Sequence, residues 1–226
     1  MDIDALKKYT LILLLGFLIY KPAVAQWPRF SIATDVNSQH SFTKDQQFWA
    51  VGHTIIANFH LTSKDGIYVW FGYNVGGKFS NQLTAVAKLP ATNPQQIGYT
   101  NNARIAFRNL SAGWKRYLKG TPDAEKGWNL YGYAGFGLMM GKIKNKHSVQ
   151  LDTAVYDLPV LNGDAGFKRL TIDAGLGGEI PLGGDFYFYS EIKTGIPASD
   201  YPSKYIFVND RAPFVSALAI GLRLLF

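Results

Sequence analysis

No cysteine occurs in the 226 residues. That excludes a disulfide framework and thiolate metal sites. It also leaves no thiol for lipid attachment behind an N-terminal signal. Beyond its N-terminus the chain has no run near the ~20 apolar residues that a membrane-spanning helix requires. Acidic residues are the minority, 16 against 23 Lys and Arg, for a net charge of +7. A basic balance favours anionic partners, but the cations are scattered along the chain, which argues against nucleic acid. Histidine is sparse (His40, His53, His60 and His147), and its spacing to carboxylates suggests no metal site. Gly-x-Ser-x-Gly is missing. His40-Ser41 and His147-Ser148 would put base and hydroxyl on opposite faces of an extended chain. Neither supplies a workable nucleophile–base pair, so no catalytic residue, enzyme activity or cofactor is expected.

What the chain does have begins with its N-terminus. Lys7 and Lys8 precede an apolar run from Tyr9 to Tyr20, and Ala23-Val24-Ala25 follows. A basic region, a short apolar core and small residues at the cleavage point have the layout of a secretory signal peptide. Residues 1 to 25 are read as that signal, and 26 to 226 as one mature domain of net charge near +6.

The mature part alternates. Counting back in twos from Phe226 gives Leu224, Leu222, Ile220, Leu218, Ser216 and Phe214; the other parity gives Leu225, Arg223, Gly221, Ala219, Ala217 and Val215. One face is bulky and apolar, the other small with a charge, the pattern of a strand between lipid and a narrow lumen. Similar stretches are predicted at 29–36, 49–61, 67–79, 103–118, 128–141, 169–180 and 186–196. In the fourth, Ala103, Ile105 and Phe107 share one parity, while Leu110, Ala112, Trp114 and Leu118 share the other, which predicts a bulge near Arg108-Asn109. In the third, Phe79 falls with Ile67 and Val69 outward, and Lys78 falls inward. Connections alternate: short at 62–66, 119–127 and 181–185; long at 37–47, 80–100, 142–167 and 197–212. Short turns on one side and long loops on the other predict an all-β, eight-stranded antiparallel up-and-down transmembrane β-barrel with both termini on the turn side. A soluble lipocalin-like barrel, with its apolar residues inside, is the structural alternative. A ten-stranded count follows if 142–167 extends as a hairpin.

These strand patterns, the turn spacing and the terminal Phe226 resemble the small bacterial outer-membrane β-barrels related to the outer-membrane protein A transmembrane domain and its X and W types. The resemblance covers residues 26 to 226. It implies the outer membrane of a Gram-negative cell, a monomer surrounded by lipid and lipopolysaccharide, and contact of Phe226 with the barrel-assembly machinery. No single activity is implied.

Three groups are candidate sites. A charge network is expected on the inward parity, from Arg104, Arg108, Asp173, Glu179, Glu191, Lys193 and Arg223. Buried charges need partners, so a plug is preferred to an ion path, and Arg223 and Glu191, on neighbouring strands, are expected to pair. Tyr68, Trp70, Tyr131, Tyr133, Tyr187 and Tyr189 share that parity near the turn side. They serve either as filler or, as in W-type barrels, as the floor of a cavity for an apolar ligand. Lys142, Lys144 and Lys146 form a basic cluster in an outer loop, suited to lipopolysaccharide phosphate. Tyr156, Tyr201, Tyr205 and Phe207 stud the long loops. The leading functional reading is a non-enzymatic outer-membrane protein, structural or surface-interacting through its loops. Binding or passage of a small hydrophobic molecule is the alternative, and a lipid A-modifying enzyme comes third.

Overall fold

The computed structural model describes residues 27–198 and 213–226. The expected signal segment, together with Tyr201, Tyr205 and Phe207, lies outside them. Among the described residues nine strands form: β1 (Arg29–Ser41), β2 (Phe48–His60), β3 (Asp65–Ala87), β4 (Gln96–Lys119), β5 (Asn129–His147), β6 (Tyr156–Asp157), β7 (Gly163–Gly183), β8 (Phe186–Pro197) and β9 (Val215–Leu225). Eight of them pair antiparallel in the order β2-β1-β9-β8-β7-β5-β4-β3, and β2 also pairs with β3, so the sheet closes. The two-residue β6 pairs with β3 beyond the ring. The ring therefore has eight strands, and the ten-stranded count is overturned.

Closure fixes the stagger. A row of paired residues leaves β7 at Leu170, passes Leu138, Leu110, Phe71, Ile55, Thr34, Leu222 and Phe188, and returns to β7 at Ile180, ten residues on. Strands in such a barrel are strongly tilted, and eight leave an interior just wide enough for side chains to fill.

Bulky residues face out. Phe136 is 76 % exposed and Leu170 66 %, with Ile55, Ile192 and Leu218 also exposed. The inward parity carries Asp35, Glu179, Glu191, Lys193 and Arg223, all buried. This inversion rules out the lipocalin-like arrangement and fits a barrel whose solvent is lipid. Aromatic side chains flank the apolar band at both ends. On the turn side Phe30 contacts Phe59 and Phe226, and the Phe226 amide donates to the Phe30 carbonyl. On the loop side His40 packs on Phe42 and Trp49, and Phe42 on Phe214.

The strands differ in length. β1, β2, β8 and β9 have 11 to 13 residues, about what a tilted strand needs to span a bilayer. In contrast β3, β4, β5 and β7 have 19 to 24 and run on past the band. Ten extra residues carry a strand roughly 33 Å further along its own axis. Much of what the sequence presents as loop at 80–100 and 142–167 is this extension, leaving connections at 88–95 and 148–162. Beyond the membrane the outer face need not be apolar, so the alternation fades while the pairing continues.

The bulge lies in β3, not in β4. The β3–β4 register shifts between Asn74 and Gly77, and Gly76 sits at φ 83°, a conformation that suits glycine. The extra residue flips β3, turning Phe79 inward onto Phe48 and Lys78 outward. From Ala103 to Tyr117 β4 keeps one parity, with Ala103, Ile105 and Phe107 buried on the same inward face as Ser111 and Lys115; its own register shift comes only at Tyr117–Lys119.

Small residues admit the large ones inside. Gly113 and Gly135 are paired across β4 and β5, and a Cβ on Gly135 would overlap the Ala112 carbonyl and stand 2.6 Å from Tyr68 Oη. Gly135→Val is therefore expected to destabilise the refolded barrel by about 1–3 kcal/mol. Gly132→Ala, where the nearest atoms are 3.7 Å away, should stay within about 0.5 kcal/mol. Urea unfolding in detergent micelles, followed by tryptophan fluorescence, makes the comparison; equal effects at the two glycines would refute this account of the packing.

Candidate functional site: a filled lumen, a folded crown and a basic outer wall

The lumen is built in layers. Nearest the turns, Arg223 on β9 makes a two-pronged ion pair with Glu179 on β7, through Nε at 3.0 Å and Nη2 at 2.7 Å. Its Nη2 also donates to the Pro122 carbonyl at 2.7 Å, and its guanidinium stacks 3.9 Å above Tyr187. Asn129 donates to Glu179 at 2.9 Å. The expected Arg223–Glu191 pair does not form. In the β8–β9 register Arg223 lies opposite Tyr187 and Glu191 opposite Ala219, so Arg223 reaches across Tyr187 to β7 instead.

Glu191 belongs to the next layer, where Tyr131 and Tyr133 donate to it at 3.0 and 3.3 Å. Above it Lys193 bridges Asp35 at 2.9 Å and donates to Thr54 at 2.8 Å, with Glu191 at 3.6 Å. Tyr189 and Asn37 also donate to Asp35. Lys115, buried, stands 3.6 Å over the Tyr131 ring. Asp173 is buried near Thr171 in the same wall. Five of the seven charges expected inside are there; Asp35 and Lys115 complete the set. Both were legible, since Asp35 alternates with Ile32, Thr34 and Val36 on β1, and Lys115 with Ala112, Trp114 and Leu118 on β4. Arg104 and Arg108 are corrections: both are exposed on the outer face. They stand where β4 has left the apolar band and outward no longer means lipid.

The six aromatics all point into the lumen, with Tyr133 the least buried. They act as packing. Two voids remain among these layers, of about 20 and 30 Å³, each the scale of a water molecule and far below a ligand pocket. Above the polar layers an apolar one closes the barrel, from Phe48, Phe79, Ile105, Phe107, Met139 and Phe167.

One hydroxyl–imidazole contact escaped the sequence. Ser31 Oγ lies 2.9 Å from His60 Nε2, and Asn58 donates to the same hydroxyl at 3.2 Å. The residues are 29 apart and meet only through the β1–β2 register. Ser31 and His60 are sealed in the lumen floor, and the third hydrogen-bonding partner is an amide rather than a carboxylate, so the contact satisfies buried polar groups. Among the described residues no three His, Asp or Glu side chains gather as a metal site.

Outside the membrane band the 148–162 connection folds back on the β3–β4 extension. Ala85, Tyr99, Tyr156 and Leu158 form a buried cluster with Leu83, Ile97, Leu151 and Leu161 packed on it. Val86 and Ala87 pair with Asp157 and Tyr156. Tyr156 donates to the Pro94 carbonyl at 3.0 Å, and Lys88 to the Thr153 carbonyl at 2.6 Å. Burial pushes the Tyr99 phenol above its ordinary range and the adjoining His147 imidazole below it. Tyr156, expected as a free loop aromatic, is a core residue of this crown.

Lys142, Lys144 and Lys146 are exposed on the outer face of β5, not in a loop. Lys78, Arg104, Arg108 and Lys168 surround them on β3, β4 and β7.

No family model matches the chain, and no curated protein matches it in sequence. Solved structures do match its shape. Neisserial surface protein A is 9 % identical with a TM-score of 0.57, the match covering 87 % of this chain and 97 % of that one. Ail, the attachment invasion locus protein of Yersinia pestis, is 11 % identical with a TM-score of 0.50, over 88 % of this chain and 99 % of that one. Both are small outer-membrane β-barrels. At such identities the likeness speaks for the fold, and the fold here is theirs.

Breaking the Arg223–Glu179 pair leaves a buried charge without its partner. Glu179→Ala is expected to cost about 3–5 kcal/mol in urea unfolding, while Glu179→Leu combined with Arg223→Met recovers most of it. A double variant as unstable as the single one would show that the pair itself is not what the lumen needs.

Proposed function

We propose that this chain is a non-enzymatic protein of the bacterial outer membrane whose closed barrel anchors and displays a folded crown at the cell surface. Placement in that membrane rests on the inverted exterior, the two aromatic rims and the signal-like N-terminus. The observation that carries the role is the contrast between the two ends of the molecule. The lumen is packed with ion pairs, tyrosines and an apolar lid. Construction continues outside it, where a segment that could have been a simple loop has a core of its own. Val86, Leu89, Val149 and Val155 are exposed on or beside that core, and loops held by a rigid scaffold are where binding surfaces usually lie.

Two measurements test this. In planar bilayers the refolded protein should give no steady single-channel openings; sustained conductance would replace the display role with transport. An epitope tag inserted between Thr92 and Asn93, in the crown turn, should be stained by antibody on intact cells. Staining only after permeabilisation would reverse the orientation and end the proposal.

A further inference from the structure

The seven outward cations form one panel. Lys78, Arg104 and Lys144 are direct neighbours in a cross-strand row that ends at Asp164. Nearer the membrane band, a second row carries Tyr73, Arg108, Met140 and Lys168, with the Arg108 guanidinium over the Tyr73 ring. Lys142 stands between the two rows and Lys146 above them. The row below is wholly apolar: Phe71, Leu110, Leu138 and Leu170. On β4 and β7 the change from lipid-facing to cationic occurs within one outward step, at Arg108 and Lys168; on β5 it takes two, at Lys142, and on β3 it follows the bulge, at Lys78.

Among the described residues Asp164 is the panel's one acid, 3.7 Å from Lys144. The described outward faces of β1, β2, β8 and β9 carry no Lys or Arg. Like charges directly opposite across strands repel, so three in a row are unfavourable without an anion between them. The panel also has a trough. Gly76, Ala106 and Gly166 leave its middle without bulk, and hollows of about 660 and 490 Å³ lie there between the cations.

We propose that this panel is a lateral binding site for the phosphorylated glucosamine headgroup of lipid A. Its phosphates would sit between the Lys78–Arg104–Lys144 row and Arg108–Lys168, with its acyl chains descending over the apolar row. The inference rests on the outer-membrane placement proposed above. Height, sign and shape all favour a lipid of the same leaflet: cations begin where the apolar band ends, they occupy one side of the barrel, and the lower hollow, lined by Tyr73, Met140 and Lys168, borders the apolar row.

The test uses the refolded mature chain in neutral detergent and native mass spectrometry, with bisphosphorylated lipid A, its dephosphorylated form and phosphatidylglycerol as probes. Bisphosphorylated lipid A should be retained above both others. K78Q/R104Q/K144Q should weaken it roughly tenfold, the scale of three exposed charge contacts. K78R/R104K/K144R, which keeps the charge, and K119Q/K126Q, at the turn end, should bind as the parent does. Thermal melting supplies the second readout: without lipid the neutralised variant should melt no lower than the parent, and with lipid A it should gain less. Equal retention of lipid A by neutralised variant and parent overturns the site, as does equal retention of phosphatidylglycerol, of dephosphorylated lipid A, or a matching loss in the charge-conserving variant. Surface staining of the crown tag with any of these failures would overturn the site and leave the display role standing.

Discussion

Ring closure is the constraint on which everything else depends. In lipid an unpaired backbone amide has no water to turn to, so a spanning sheet must have no edge. Eight strands with a ten-residue stagger meet that demand, and they fix the interior at a width that side chains fill. The inward parity then has to supply volume and polarity together. Tyrosine does both, placing a ring in the lumen and a hydroxyl on a carboxylate, as Tyr131 and Tyr133 do on Glu191. Glycine makes the room: a Cβ on Gly177 would strike Tyr131, and one on Gly175 would strike Tyr133. The Tyr–Gly pairing across β5 and β7 is a consequence of closure.

The same constraint explains why the lumen contains ions. Arg223 satisfies Glu179 through two nitrogens and caps the Pro122 carbonyl of the turn below. Lys193 is held by Asp35, Thr54 and Glu191. Each pair joins strands that are not hydrogen-bonded neighbours: β7 to β9 in one case, β1 to β8 in the other. A closed sheet already fixes neighbouring strands through its backbone. Lumen ion pairs fix the strands across the ring, which backbone pairing cannot reach.

Within the band the sequence was legible because lipid and lumen are opposite solvents and each strand alternates between them. The outward parities of β1, β2, β7, β8 and β9 could be read from Phe30, Ile55, Leu170, Ile192 and Leu218, and five lumen charges followed from the same count. Legibility stopped where the solvents stopped being opposite. Above the band Phe107 and Ile105 face inward while Arg104 and Arg108 face outward. Hydrophobicity changes sides there with no change of backbone parity. Read by composition alone, that change looks like a bulge in β4. The actual bulge, in β3, was hidden because Gly76-Gly77 has no side chains to register a flip. Arg223's partner was misassigned for a different reason: strand adjacency was known, but the register that sets Arg223 against Tyr187 was not.

That reversal also separates two jobs along the same four strands. Up to the Phe71–Leu110–Leu138–Leu170 row, β3, β4, β5 and β7 behave as barrel staves with lipid outside. Past it they outrun β8 and then β2, and continue as a sheet with an apolar inner face, Phe79, Phe107 and Phe167, and a cationic outer one. The inner face must be covered, and Phe48 and Val215 from the shorter strands cover its base. Higher up no shorter strand reaches, and the crown segment 148–162 supplies the cover over Ala85 and Tyr99. Among the described residues nothing covers the outer face. A sheet whose inner side is this fully packed gains nothing in stability from a row of opposed cations on its outer side. Their position is better accounted for by what lies beside the barrel than by the barrel itself.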